Sequence, residues 1–285
     1  MAFYNVRAPA LPLPPPEYLQ AQQDQFQNAL RLYFNQLDNF TRALASSGGG
    51  AALSFPYFSG YQDGITQLTV AIPNATSTAP IQVTSTAGFP SSGYIIIDQE
   101  IISYTTTTAT QFDGTITRGV LGTTAGKSSH AVNAYVTEAQ GSGVGTSASM
   151  VIRAVTSSNG VTCTIPDSKV YITNSGLYNI QFSAQFLNYT TSVDNVTIWL
   201  RQNGVDVANT AGIQELAPKH GSSPGATIAA WNYYVGAQAG DYIQMCWSSD
   251  TGNTIIATYP PGTAPVHPSS PGVILTATFV SGPTP

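Results

Sequence analysis

Catalysis needs side chains that can carry a proton, a metal ion or a new covalent bond. Here such residues are few. The histidines are His130, His220 and His267, and each stands beside Ser, Gly or Pro in an expected loop. None has a second His, Cys or carboxylate at metal-ligand spacing, so they read as loop histidines. Among the carboxylates, Asp194, Asp206, Glu215, Asp241 and Asp250 fall in the C-terminal half. Loops could bring two of them together across a sugar, as a glycosidase requires, but nothing in their order demands it. Asp206 follows a turn glycine and Asp241 stands in a Gly-Asp turn, so both read as turn formers that bond nearby backbone.

Nucleophile motifs are missing. The chain has no Gly-x-Ser-x-Gly elbow and no Cys with a placed His. "GTTAGKSSH" contains Gly-Lys-Ser but lacks the first glycine and the following helix of a phosphate loop, and "GSGVG" has no strand–helix context. Cys163 and Cys246 fit no CxxC metal site. They are expected as buried free thiols in strands, with an inter-sheet pair left open. No catalytic residue, metal or cofactor is expected, and the chain does not read as an enzyme.

The elements that would position any site are mostly strands. In "GLYNIQFSAQF", residues 176–186, Tyr178, Ile180, Phe182, Ala184 and Phe186 fall on one side and polar residues on the other, the period of a half-buried strand. Similar signals recur in "VTIWLRQ" before the Asn203-Gly204 turn, "AAWNYYVGA", "DYIQMCWSS" and "GVILTATFV". With no helical pattern among them, residues 150–282 are expected to form a β-sandwich or jelly roll. Residues 54–139 read as a small β module, with "GYIIIDQEIISY" a hairpin about Asp98-Gln99. "GSGVGTSAS" at 141–149 reads as a flexible joint between the two.

The N-terminal part differs. Pro9, Pro12, Pro14, Pro15 and Pro16 make residues 1–16 an extended arm, which either orders against a partner or stays a loose tail. Residues 17–47 read as a helix that ends before Gly48-Gly49-Gly50. Its apolar positions form a heptad seam, with Leu30, Leu37 and Leu44 at a and Leu19, Phe26, Tyr33 and Phe40 at d. A coiled coil is favoured over one helix packed on its own domain, and the large d residues suit three strands.

Composition narrows the function. Charged residues make up 8% of the 285, the net charge is −5, and the 9 Lys and Arg are scattered. Phosphate contacts need clustered basic residues, so no nucleic-acid partner is expected. No window is long and apolar enough to span a membrane. The start, "MAFYNVRAPALPLPPPEY", lacks a basic-then-apolar leader. An uncharged polar surface without a leader fits a particle released by lysis. Trp199 lies out of phase with Val196, Ile198 and Leu200 and is expected on the other face of its sheet. Trp199, Trp231, Tyr233 and Trp247 are expected at a head interface, where aromatics are enriched, or against a ligand. The loops 209–228 and 259–272 are the receptor candidates.

Three stretches carry resemblances. "GYIIIDQEIISY", "TRGVLGTTA" at 117–125 and His130 before "AYV" resemble a small module of bacteriophage virion and tail proteins. "SGLYNIQFSAQF", "VTIWLRQNGVDV", "VGAQAGDYIQMCW" and the closing "GVILTATFV" resemble the jelly roll of complement-type heads and tumour necrosis factor. "LPLPPPEYLQ" followed by "LRLYFNQLDN" resembles the opening of many proteins of marine and cyanobacterial phages.

These resemblances imply a mainly β, homotrimeric virion structural protein, assembled in the host cytoplasm and acting outside the cell. Its arm would hold other virion proteins, and its head would attach as a tail fibre to host-surface polysaccharide or protein. The alternatives are a capsid head fibre or decoration protein, a surface-glycan hydrolase and a bacterial extracellular module.

Overall fold

The computed structural model describes residues 17, 19–45, 55–124, 127–165 and 167–282. The arm prolines Pro9, Pro12, Pro14, Pro15 and Pro16 and the triple glycine lie outside the described residues. The chain divides into two compact units between Phe55 and Pro56.

In the first unit, helix α1 spans Gln20–Ala45, three residues shorter at its start than the heptad reading. Leu19 stands just before it, and its carbonyl accepts from the Gln22 and Gln23 amides, so this d position acts in the cap. Phe26, Leu30, Tyr33, Leu37 and Phe40 are each half-buried, while Leu32 and Phe34, off the stripe, are exposed. Leu44 falls in the last turn. An Asp38–Arg42 ion pair at i,i+4 closes the polar side.

The second unit is built almost wholly of antiparallel strands. Those that matter here are β1 (Tyr57–Gln62), β2 (Gly93–Ile97), β3 (Glu100–Tyr104), β4 (Tyr135–Gly141), β5 (Ala154–Asn159), β6 (Val161–Thr164) and β7 (Lys169–Ile172). They continue with β8 (Gly176–Asn188), β9 (Asp194–Gln202), β10 (Gly212–Leu216), β11 (Gly225–Ala237), β12 (Tyr242–Ser249), β13 (Thr254–Ala257) and β14 (Val273–Ser281).

Two sheets face each other. The front sheet runs β5-β1-β14-β8-β11 and the back sheet β6-β7-β12-β9-β10. Successive long strands alternate between them, a jelly-roll-like β-sandwich. The core is the inward parity of both: Tyr178, Ile180, Phe182 and Phe186 of β8 meet Val196, Ile198 and Leu200 of β9 and Met245 and Trp247 of β12. Each fully buried large side chain contributes about 1.5–3 kcal/mol.

The expected division at residues 139 and 150 is not where the strands divide. β1 lies between β14 and β5, so residues 57–62 belong to the sandwich. The small module continues the front sheet edge to edge. β13 pairs with the lower end of β8 and also with β4, which leads to β2 and β3. Ile96, Ile101, Ala139, Leu187, Tyr189, Ile255 and Ala257 form an apolar cluster across that seam. The glycine-serine stretch is structured too: Ala148–Ser149 pairs with Trp247 and Cys246 of β12. Composition marked it as flexible, but hydrogen bonds to β12 hold it.

Candidate functional site

The structure overturns one reading at once. His130 is no loop histidine in solvent; its side chain is fully buried. The β2–β3 hairpin turns at Asp98, whose φ of +56° suits a short polar residue, and Glu100 follows at the start of β3. His130 bridges Ile72 and reaches both carboxylates, with Nδ1 2.7 Å from Asp98 Oδ2 and Nε2 2.9 Å from Glu100 Oε2. Arg118 grips Glu100 with two bonds of 2.7 Å, from Nε to Oε1 and from Nη2 to Oε2. Its remaining donors go to the carbonyls of Asn74, Ser77 and Ser128.

Burial pushes the Glu100 carboxyl up, but the hydrogen bonds and charges of Arg118 and His130 outweigh it and hold it below its ordinary range. Each ring nitrogen of His130 thus has one carboxylate oxygen within hydrogen-bond distance. Only Asp98 faces solvent, its side chain 62% exposed.

A second pair pins the module to the sandwich. Arg153 donates to Glu138 of β4 through Nε and Nη2, at 3.1 and 2.8 Å. Burial drives the Glu138 carboxyl up, and Arg153 pulls it only part of the way back.

The other chemistry-bearing residues are turn staples. Asp194 is buried; Ser249 and Thr254 hydroxyls donate to its Oδ2 at 2.6 Å each, and the Thr251 amide to Oδ1. Burial raises its pKa, but these bonds together outweigh burial and leave it below the ordinary range. Asp241 accepts from Gln202 and Asn203, and Asp206 from Arg201. Asp250 accepts weakly from Asn195. Among the described residues no group of three His, Cys, Asp or Glu side chains is placed to hold a metal ion. Cys163 and Cys246 are free, and burial pushes the Cys163 thiol up to about 11.

The four aromatics do not gather at one surface. Trp199 lies on the outer side of β9, out of phase as expected, and donates to Asp206 at 2.8 Å. Trp247 is a core residue, 0% exposed and packed on Phe186. Trp231 and Tyr233 point inward from β11 against Phe182, and Trp231 donates to the Tyr233 hydroxyl, which donates to the Thr210 carbonyl. Trp247, Trp231 and Tyr233 are therefore corrected from interface or ligand residues to packing residues. Register decides it: Trp247 stands opposite the inward Ile198, whereas Trp199 stands opposite Cys246.

The surface that remains is the outer side of the front sheet. Tyr234 and Ile228 of β11, Ile274 and Val280 of β14 and Tyr57 of β1 are exposed there. Between them lie Asn179, Gln181, Ser183, Thr276 and Thr278. None of the five strands contains an Asp, Glu, Lys, Arg or His. The back sheet carries Lys169, Asp194, Arg201 and Glu215. The edge strands β5 and β11 are likewise uncharged, although exposed edges ordinarily carry charge or proline against pairing.

No protein-family model and no curated protein matches the chain. Among solved structures it is similar to the structure of Eiger TNF from S. frugiperda, at 12% identity and a TM-score of 0.29, over 44% of this chain and 71% of that one. The chain is a mainly β protein with an antiparallel sandwich, and that rests on its own strand order. No described helix is long and apolar enough to cross a membrane.

Proposed function

We propose that the chain is a structural protein of a bacteriophage particle, a homotrimeric fibre-like appendage that attaches to the host surface. The observation that supports it best is the charge-free outer face of the front sheet. A five-stranded face with exposed Tyr, Ile and amide side chains and no charge resembles the core of a subunit interface, where charged residues are depleted. Helix α1 supplies a second self-association surface through its heptad stripe. Three strands would cover Phe26, Tyr33 and Phe40 at d, which crowd a two-stranded seam. Three copies present three heads, and multivalency makes weak single contacts effective.

The arm would engage the particle and the sandwich would project from it. Immunogold labelling of intact particles with an antibody against residues 150–285 tests the placement. Label at the tail is the expected result. Label spread over the head would replace host attachment with capsid decoration, and no label would remove the virion reading.

A further inference from the structure

Where the small module meets the sandwich, β2, β4, the end of β8 and the segment after β13 leave a cavity of about 170 Å³. Its wall holds Tyr135, Tyr189, Tyr259, Pro260, Thr137 and Asp98. No phenol oxygen of these tyrosines has a hydrogen-bond partner among the described residues, and Asp98 spends only Oδ2, on His130. Tyr135 and Tyr259 are about a third exposed, at 36% and 37%, so they stand at the rim, while Tyr189 is buried at 6%. Burial and the neighbouring Tyr259 push the Tyr189 phenol up to about 12, which keeps its proton available for donation.

We infer that this cavity binds one neutral pyranose residue of a surface glycan, its ring against the tyrosines and a hydroxyl donating to Asp98. The chemistry selects that class. Aromatic walls offer apolar faces with polar tips, suited to the C–H face of a sugar and its hydroxyl rim. No Lys or Arg lines the cavity, and the Asp98 charge disfavours phosphate, sulfate or carboxylate ligands. The volume is below the roughly 300–1,000 Å³ usual for drug-sized ligands, so it suits one ring of a polymer whose remainder lies outside. A second cavity of about 120 Å³ shares Tyr189 and is lined by Gln99, Thr123, Lys219 and Ser222, giving the polymer somewhere to continue. His130 is a positioning residue here: buried and fixed on Glu100, it holds Asp98 at the rim.

The site deepens the proposed function and rests on it for the source of the glycan. The test is saturation-transfer NMR on the full chain with glucose, galactose, mannose and N-acetylglucosamine, and with choline as an aromatic-cage competitor. Transfer to at least one sugar is expected, reduced about tenfold in affinity by Tyr259→Ala and by Tyr135→Ala at unchanged melting temperature. Asp98→Asn should weaken binding in the same titration, and Val205→Ala, exposed beside the Asn203-Gly204 turn of the back sheet, should not. Transfer to choline alone, to no sugar, or undiminished in both tyrosine variants would overturn the inference. The mass of the same samples separates the two readings: a trimer without sugar binding removes the cavity proposal alone, and a sugar-binding monomer removes the trimeric assembly alone.

Discussion

Glu100 illustrates how this chain uses its few charges. In a sequence with 8% charged residues, an arginine and a histidine converge on one buried carboxylate. Glu100→Gln leaves Arg118 buried without an ionised partner, and losing one member of a buried pair costs about 3–5 kcal/mol. Urea unfolding should show that loss as a lower midpoint at an unchanged slope; a change below about 1 kcal/mol would mean the ion pair does not hold the module.

Acid should act on the same groups. Glu100 and Asp194 are held below their ordinary values of 4.5 and 3.8, so the folded state binds their protons more weakly than the unfolded chain. Their contribution is complete at neutral pH and fades as pH falls below those values. Glu138 is raised and acts oppositely, gaining stability as it protonates. A melting temperature that drops steeply toward pH 3, with a shallower drop in Asp194→Asn, is expected. A flat profile would contradict it. Sequence pattern missed this network because its members, at 98, 100, 118 and 130, are brought together by pairing of β2 with β3 and β3 with 117–118. The available signal was weaker: between Glu100 and Glu138 the charged residues are Asp113, Arg118 and Lys127, with Arg118 the one arginine among them.

At the scale of elements, periodicity was legible and pairing was not. The alternation in β8 places Tyr178, Ile180, Phe182, Ala184 and Phe186 inward as the spacing demands. The hairpin at Asp98-Gln99 forms where two isoleucine runs flank a polar pair. The aromatics failed because Trp231 and Tyr233 of β11 and Trp247 of β12 belong to opposite sheets and all three turn to the core between them. The front face and the helix stripe give separate expectations. Tyr234→Arg combined with Ile274→Arg places like charges on a surface that has none. It should dissociate the heads of the proposed trimer while the sandwich still melts as before. Leu30→Asp with Leu37→Asp should weaken the assembly through the helix. Sedimentation velocity distinguishes them, and unchanged mass in either pair would exclude that surface.

At the scale of the molecule, the sandwich was legible in strand periodicity, whereas the boundary of the folding unit was hidden. The glycine-serine stretch at 141–149 looked like a joint, yet the strands on its two sides interleave. A fragment 150–282 lacks β1, which unpairs β5 and leaves β14 with β8 on one side alone, and lacks β4, which bares Leu187, Ile255 and Ala257. It should be largely unfolded by circular dichroism, while a fragment 56–282 should show a cooperative transition. A cooperative 150–282 would restore the boundary read from composition.

The most direct test of self-assembly is the mass of the full chain by light scattering at micromolar concentration. Three times the chain mass of 29.9 kDa, lost in the Tyr234→Arg and Ile274→Arg variant, is the expected result. A single-chain mass in the unaltered protein would contradict the trimer and leave the charge-free face without its proposed occupant.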